Sequence, residues 1–276
     1  MQIINGSELA RAVKQGLRED NLKNGLRPVL AIIVVAGDEE SLVYVGLKEK
    51  AVNEIGGVCR QIITSADITR DKLITLITEL NNDETVDGIL LQLPLPEGLQ
   101  SSVEEILSAI DPEKDVDGFT PANRGLLSTD SQYFTSCAAL GVFHVIKRIV
   151  ADLKGKEIML VGDSFDVVTP LAIMLMQAGS RVRMEPEYKP TLLGNVDVLV
   201  IEKGRPEIVK GEHLKQQLLL IDAGFYWENG RTLGNVDRSS VADNDGWLLP
   251  VPGGLGPMLI AMLMKNLCQA ARQRNK

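Results

Sequence analysis

The stretch Val29-Leu30-Ala31-Ile32-Ile33-Val34-Val35 decides the fold class, because an unbroken apolar run rich in β-branched side chains is typical of a buried parallel strand. A helical pattern follows from about Glu40 to Ile55, and a second strand-like run lies near Val58–Ile63. A second helical pattern covers about Arg70 to Asn81, before a third run near Val86–Leu91. This alternation predicts an α/β fold built on a repeated β-α-β pattern.

A second series of strand-like runs begins after Gly155. Its members are rich in Val, Ile and Leu, and we expect helices between them. They lie near Glu157–Val161, Arg181–Met184, Asp197–Ile201 and Leu218–Ile221. We therefore predict two α/β lobes, the second a Rossmann-like parallel-sheet domain, with a cleft between them lined by loops at the strand ends.

Composition narrows the class of function. The chain has 276 residues, an apolar fraction of 45% and a net charge of −8 without a basic cluster, which argues against a nucleic-acid partner. No apolar run reaches the roughly 18 residues of a membrane span, and the first residues do not resemble a secretion signal, so we predict a cytoplasmic protein without membrane contact. Cys59, Cys137 and Cys268 lack metal-ligand spacing, and we predict no metal site.

Tyr44 and Lys48 are the first candidates for chemistry. They are four residues apart in the pattern from about Glu40 to Ile55, so a phenol and an amine share one helix face. If that face lines a cleft, the amine can donate and accept protons. The alternative is an exposed lysine, since such pairs are common on helix surfaces.

Gln92 is the second candidate, because it ends the apolar run Val86–Leu91 just before Pro94. Proline cannot continue a strand ladder, so Gln92 is predicted at a strand end. Ligands bind at the carboxyl ends of parallel strands, which favours a functional amide there. The alternative is an amide that only holds the prolyl turn.

Four motifs occur in the order and at the approximate spacing of one family. They are Tyr44-Val45-x-x-Lys48-x-Lys50; Val86-Asp87-Gly88-Ile89 with Gln92-Leu93-Pro94-Leu95-Pro96; Lys114-Asp115-Val116-Asp117-Gly118-Phe119; and Pro250-Val251-Pro252-Gly253-Gly254-x-Gly256-Pro257-Met258. The chain thereby resembles methylenetetrahydrofolate dehydrogenase/methenyltetrahydrofolate cyclohydrolase, the bifunctional FolD-type folate enzyme. The resemblance extends from about Gly6 to Arg272.

The resemblance implies a two-step reaction and the residues that perform it. A hydride leaves the carbon bridging N5 and N10 of the folate for a nicotinamide cofactor, and water then opens the methenyl ring. The implied catalytic residues are Lys48, its partner Tyr44, the supporting Gln92 and the pterin-binding Asp117. The implied substrate contacts also include Ser41 and the turn residues Pro252, Gly253 and Gly254.

The resemblance also implies a domain division and partners. Residues 1–137 and 256–276 would form the folate-binding catalytic domain, and 138–255 the dinucleotide-binding domain. Tetrahydrofolate derivatives are the implied substrates, and a homodimer is the implied assembly. Implied cofactor contacts fall on Gly162, Asp163, Ser164, Glu185 and Gly254.

The phosphate turn departs from the family pattern. Where the family has Gly-Arg-Ser-x-x-Val-Gly-x-Pro, this chain has Gly162-Asp163-Ser164-Phe165-Asp166-Val167-Val168-Thr169-Pro170. Asp163 replaces an arginine, and Val168 replaces a glycine with a β-branched side chain that would crowd a phosphate.

A second departure concerns the cofactor's ribose. Glu185 and Glu187 stand where the family has a Cys-His-Ser run that helps accept a ribose phosphate. The resemblance implies NADP, whereas Asp163, Val168, Glu185 and Glu187 favour NAD or no cofactor, because carboxylates repel a 2′-phosphate. Glu185 lies where a Rossmann domain places the acid that binds a free 2′-hydroxyl.

A third departure is Ser136-Cys137-Ala138-Ala139-Leu140-Gly141, where the family has Pro-Cys-Thr-Pro-x-Gly. Because this segment should lie near the place where folate and nicotinamide meet, the departure is expected to affect the hydride step more than the hydrolytic one. We therefore predict hydrolysis of 5,10-methenyltetrahydrofolate, together with NAD(P)-dependent oxidation of 5,10-methylenetetrahydrofolate. The alternatives are a monofunctional cyclohydrolase and a non-catalytic folate-binding paralogue.

Overall fold

The computed structural model describes residues 1–36, 39–214, 217–228 and 230–274, without the side chains of residues 39–41. The helices within these ranges are α1 (Gly6–Asn24), α2 (Glu39–Glu54), α3 (Arg70–Asn82), α4 (Val103–Ser108), α5 (Pro121–Leu126), α6 (Cys137–Ile149), α7 (Val168–Gln177) and α8 (Leu255–Arg274). The strands are β1 (Gln2–Ile3), β2 (Val29–Val35), β3 (Val58–Thr64), β4 (Gly88–Leu91), β5 (Glu157–Val161), β6 (Arg181–Glu185), β7 (Val198–Ile201), β8 (Leu218–Asp222), β9 (Tyr226–Glu228), β10 (Arg231–Leu233) and β11 (Gly246–Leu249).

The chain divides into two compact units. The six-stranded unit contains Met1–Ala10 and Ala138–Leu259, and the three-stranded unit contains Arg11–Cys137 and Ile260–Lys276. The division predicted from sequence differs from this one at both ends of the chain. The first residues belong to the six-stranded unit because β1 pairs with β11. β1 is short and exposed, and it lacks an apolar run that would predict a strand.

The sheet of the six-stranded unit has the order β1-β11-β8-β7-β5-β6, and its strands are parallel. Counted from β5, the strand order is 2-1-3-4-5, which reverses between β5 and β7. Ligands of such sheets bind outside the carboxyl ends of the strands at this reversal. The predicted Rossmann-like domain is confirmed, and its reversal point lies at the residues that follow β5 and β7.

The sheet of the three-stranded unit has the order β3-β2-β4, again with parallel strands. The apolar run Val29–Val35 is the central strand β2, with all residues after Val29 buried. The core beside it includes Ile33, Ile77 and Ile106. The strand β4 carries a further parallel bridge from Ile89 to Asp115, which places the loop after Asp115 at the carboxyl end of β4.

The predicted α/β class is confirmed, and every strand predicted from an apolar run is present. The prediction missed β1, β11 and the antiparallel pair of β9 and β10, which are short and partly exposed. Among the described residues, no helix is long and apolar enough to cross a membrane. Within the same residues, no group of three or more His, Cys, Asp or Glu side chains is arranged to hold a metal ion.

Asp222, the last residue of β8, organises the loops at the carboxyl end of the six-stranded sheet. Its carboxylate accepts hydrogen bonds from the backbone N–H groups of Gly224 (3.1 Å), Asn235 (2.9 Å) and Val236 (2.9 Å). Burial raises the pKa of Asp222 to about 6, although the three hydrogen bonds oppose the shift. The folded protein therefore binds a proton here that the unfolded chain releases at lower pH.

This shift predicts a specific pH dependence of stability. A carboxyl group with a raised pKa stabilises the folded state most below its unfolded pKa of 3.8, and the stabilisation is lost as pH rises through about 6. We expect the difference in free energy of unfolding between the wild type and Asp222→Asn to decrease by about 2 kcal/mol from pH 4 to pH 7. Urea unfolding followed by tryptophan fluorescence measures it, since Trp227 and Trp247 both lie in this unit.

Asp237→Asn is the control for this measurement. Hydrogen bonds from Lys210 and Ser239 lower the pKa of Asp237 to about 2, so its contribution is nearly constant between pH 4 and pH 7. If the difference in free energy of unfolding between the wild type and Asp222→Asn changed with pH as little as that for Asp237→Asn, the prediction would be wrong.

Candidate active site

Lys48 lies on the inward face of α2 in the three-stranded unit. Val45 and Val52 are buried on either side of it, three and four residues away, so the helix period directs Lys48 toward the sheet. Only 8% of the residue is exposed. The exposed-lysine alternative is therefore excluded by the structure.

Gln92 provides the partner of the buried lysine. Its backbone N–H continues the sheet by donating to the carbonyl of Ile33 (2.9 Å), which places the side chain at the carboxyl end of β4. Lys48 Nζ donates to Gln92 Oε1 at 2.9 Å, and Gln92 Nε2 donates to the carbonyl of Leu93 at 2.6 Å. The amide thus holds the lysine and the prolyl turn at the same time.

Asp115 organises the loop that carries Asp117. Asp115 is 1% exposed, and its carboxylate accepts from the N–H groups of Gly118, Phe119 and Thr120 and from Asn123 Nδ2, at 2.8–3.1 Å. The loop is therefore folded around one buried carboxylate. Burial raises the pKa of Asp115, while the hydrogen bonds oppose that shift.

Cys137 lies close enough to both Lys48 and Asp117 to be influenced by their charges. The thiol is buried, and its pKa is raised well above the usual value mainly by burial and further by the charge and hydrogen bond of Asp117. The charge of Lys48 acts in the opposite direction. An amine, a neutral amide and a carboxylate, those of Lys48, Gln92 and Asp117, are thereby gathered at one edge of the three-stranded sheet.

Asn266 supports the same edge from α8. Its Nδ2 donates to the carbonyl of Val116 at 2.9 Å and to that of Thr135 at 3.1 Å. Because Val116 directly precedes Asp117, this contact fixes the backbone on which the carboxylate stands.

The remaining substrate candidates have different surroundings. Tyr44 is exposed and lies one helical turn before Lys48 on α2. Ser41 also belongs to α2, but its side chain lies outside the described part of the structure. Pro252, Gly253 and Gly254 belong to the six-stranded unit. Gly254 is required by packing, since a Cβ there would lie 2.2 Å from the carbonyl oxygen of Pro250.

The turn between β5 and α7 contains the predicted phosphate contacts. Ser164 Oγ accepts from the backbone N–H groups of Val167 and Val168, both at 3.1 Å, and donates to Glu202 Oε2 at 2.7 Å. A Cβ on Gly162 would lie 2.8 Å from Glu202 Oε2 and 3.0 Å from Val168 Cγ2. Asp163 is exposed and pairs with Lys203 (2.7 Å).

Glu185 ends β6, and its surroundings clarify the role of the nearby arginines. Arg183 Nε lies 3.3 Å from Glu185 Oε1, and the Arg183 guanidinium also donates to the carbonyl of Leu192. Arg181 pairs with Glu157, which begins β5 at the opposite end of the sheet (2.8 Å). Neither arginine is therefore unpaired at the carboxyl end of β6, where a ribose phosphate would bind.

Comparison with known proteins identifies the family. Residues 4–117 match the family described as "Tetrahydrofolate dehydrogenase/cyclohydrolase, catalytic domain". Residues 136–275 match "Tetrahydrofolate dehydrogenase/cyclohydrolase, NAD(P)-binding domain". The chain belongs to the tetrahydrofolate dehydrogenase/cyclohydrolase family. This membership confirms the predicted enzyme class, in preference to the monofunctional and non-catalytic alternatives.

Similar proteins cover the full length of this family member. "Bifunctional protein FolD 1" of Syntrophomonas wolfei is 50% identical over 277 residues, which include 99% of this chain and 100% of that protein. The crystal structure of the bifunctional enzyme FolD from Campylobacter jejuni has a TM-score of 0.93 at 34% identity and covers 99% of each chain. The Trypanosoma brucei enzyme complexed with NADP and an inhibitor has a TM-score of 0.90 at 27% identity, covering 99% of this chain and 98% of that one.

The tetrahydrofolate dehydrogenase/cyclohydrolase family implies a nicotinamide dinucleotide, but the β5–α7 turn of this member does not fit a pyrophosphate as it stands. Glu202 fills the open side of Gly162 and accepts the hydrogen bond of Ser164, a serine that the family pattern shares. A phosphate would also meet Asp163 and Asp166 beside Glu202.

Sequence reasoning missed Asp115 and Glu202. Glu202 directly follows the buried apolar strand β7, so the rule that selected Gln92, a polar residue at a strand end, also selects it. Asp115 could have been found as an acid three residues before Gly118, in a segment without periodicity where a carboxylate commonly accepts turn N–H groups. Asn266 gave no signal, because the helical pattern of α8 does not distinguish it.

Proposed function

We propose that this chain hydrolyses 5,10-methenyltetrahydrofolate to 10-formyltetrahydrofolate with Lys48 as the acid-base residue. The observation that supports it is the buried side-chain nitrogen of Lys48, held at 2.9 Å by the neutral Gln92 amide. At this contact, the amide fixes the lysine without adding a negative charge that would favour its ammonium form.

The reaction needs one group that can both accept and donate a proton. Water loses one proton as its oxygen adds to the methenyl carbon. The bond between carbon and N5 then breaks, N5 gains a proton, and the remaining hydroxyl proton leaves to solvent as the formyl C=O forms. A lysine that begins as the amine can accept the first proton and deliver it to N5. Asp117, held by the Asp115 loop, would accept hydrogen bonds from the amino-substituted edge of the pterin.

The test is the rate at which purified protein consumes methenyl absorbance. We expect hydrolysis well above the spontaneous rate, measured in a buffer of low general-base strength so that the uncatalysed reaction is slow. A rate equal to that of buffer alone would contradict the proposed function.

For the dehydrogenase step, we propose a preference for NAD over NADP. Glu185 ends the strand beside β5, where a carboxylate can accept hydrogen bonds from both ribose hydroxyls of NAD. A 2′-phosphate there would face Glu185, while Arg181 and Arg183 are engaged with Glu157, Glu185 and the carbonyl of Leu192. Because the phosphate turn is crowded, we also propose that both dinucleotides bind weakly.

We expect kcat/KM with NAD to exceed that with NADP by about tenfold or more, since like charges at a few ångströms repel. Glu185→Gln should reduce this ratio, because an amide neither repels the phosphate nor accepts as strongly from the ribose. Initial rates with 5,10-methylenetetrahydrofolate and each dinucleotide measure it. A preference for NADP in the wild type would show that Glu185 does not act as a ribose acceptor.

We also propose a cytoplasmic homodimer, as the family resemblance implies. The exposed Ile63 on the edge strand β3 is consistent with a covered face in solution. Sedimentation of the wild type tests the assembly, and a monomer at micromolar concentration would contradict it.

A further inference from the structure

We propose that Glu202 is a specificity-determining residue that restricts the binding of phosphate-bearing nucleotides. Its carboxylate occupies the place in the β5–α7 turn that a pyrophosphate would take. The inference rests on the proposed use of a nicotinamide dinucleotide, and it explains why that binding is weak.

The location of Glu202 is the first argument. β5 and β7 are the neighbouring strands between which the strand order reverses, and Gly162 and Glu202 are the residues that directly follow them. The ligand of such a sheet binds at this reversal. Glu202 therefore lies at the one edge of the six-stranded sheet where a bound phosphate is expected.

The space over Gly162 is the second argument. Gly162 has a φ of 144°, and the turn would admit a ligand on its open side because glycine has no Cβ. A Cβ added to Gly162 would stand 2.8 Å from Glu202 Oε2, so that side is filled by the carboxylate of this chain. A phosphate oxygen cannot approach the same backbone until Glu202 moves.

The hydrogen bonds of Ser164 are the third argument. The N–H groups at the start of a helix are the usual donors to a bound phosphate. Here the N–H groups of Val167 and Val168 donate to Ser164 Oγ, whose own hydrogen goes to Glu202. Glu202 thus receives, through Ser164, the stabilisation that the start of α7 would give to a phosphate.

The surrounding charges strengthen the exclusion. Asp163 and Asp166 both lie near Glu202, and Lys203 is the nearby cation. Lys203 donates to Asp163 at 2.7 Å, so its charge is already paired with a carboxylate of the turn. Burial raises the pKa of Glu202, with further raising by Asp166 and Asp163, whereas the hydrogen bond from Ser164 and the charge of Lys203 oppose the shift.

A ligand with a pyrophosphate must therefore break the contact between Ser164 and Glu202 and meet three carboxylates. A neutral nucleoside does not enter the turn and escapes this penalty. The restriction should then distinguish ligands by their phosphates and not by their adenine.

The experiment measures binding of ADP-ribose and of adenosine to the full chain by titration calorimetry. The variants are Glu202→Ala, which removes the carboxylate, and Glu202→Gln, which keeps its shape without its charge. Glu212→Gln is the matched control, because it removes one negative charge from an exposed position in the same unit. Tryptophan fluorescence checks that each variant is folded.

We expect Glu202→Ala to bind ADP-ribose about tenfold or more tightly than the wild type, with Glu202→Gln between them, since a like charge a few ångströms away has been removed. Glu212→Gln should match the wild type, and affinity for adenosine should not change in any variant. This pattern would support the proposal.

Three results would overturn it. They are equal affinity for ADP-ribose in the wild type and both Glu202 variants, weaker binding in those variants, and an equal gain for adenosine. Hydrolysis of 5,10-methenyltetrahydrofolate is measured on the same preparations. If hydrolysis proceeds while ADP-ribose binds no variant, the nucleotide proposals fail and the hydrolytic proposal stands.

Discussion

Replacing Lys48 by methionine is expected to reduce the hydrolysis of 5,10-methenyltetrahydrofolate by about 10²–10⁴-fold, the range for losing a positioned acid-base group. Methionine fills a similar volume between Val45 and Val52 but can neither accept nor donate the required proton. Gln92 Oε1 would also lose the donor that it has at 2.9 Å. The decrease of methenyl absorbance under saturating substrate measures the effect.

Lys50→Met is the matched control, because Lys50 lies two residues further along α2 and is exposed. It should hydrolyse the substrate at the wild-type rate. Lys48→Arg is a second test, since arginine keeps the positive charge but cannot release its proton near neutral pH. Full activity in Lys48→Arg would mean that charge, and not proton transfer, is what the reaction needs.

The second large effect is expected for Asp115→Ala, which should lower the free energy of unfolding by about 3–4 kcal/mol. Three backbone N–H groups and the Asn123 amide donate to this carboxylate, and they would be left buried without an acceptor. Hydrolysis should decrease by about tenfold or more, because the loop no longer fixes Asp117. Urea unfolding followed by circular dichroism reports the stability, since both tryptophans lie in the other unit.

Asp117→Ala separates the two consequences. Asp117 is only half-buried, so its loss should change stability by about 1 kcal/mol or less while still reducing hydrolysis. Asp115→Asn keeps one acceptor oxygen and should fall between the wild type and Asp115→Ala in stability. If Asp115→Ala unfolded at the same urea concentration as the wild type, the carboxylate would not be what holds the loop.

The sequence was sufficient where a pattern has one physical cause. The run Val29–Val35 predicts a central strand because only a strand covered on both faces tolerates so many apolar side chains in succession. Gln92 was predictable as a polar residue at the end of such a strand. For Lys48, helix spacing alone was ambiguous, and its burial follows from the position of α2 against β2, which is a tertiary property.

The sequence was insufficient where short segments depend on distant partners. β1 and β11 are too short to give a pattern, and their pairing joins the first residues to a strand more than 240 positions later. Asp163 and Val168 were recognised as unfavourable to a phosphate from their residue types. Glu202 has the strand-end signal, but its approach to Gly162 cannot be predicted from that signal, because it exists only after β5 and β7 pair.

The contact between Ser164 and Glu202 has an evolutionary consequence. Codons for glutamate and alanine differ at one base, so a single point mutation could open or close the turn. The hydrogen bond of Lys48 with Gln92 belongs to the other unit and does not involve either residue. A single substitution could therefore change the affinity for a redox nucleotide while the hydrolytic site stays the same.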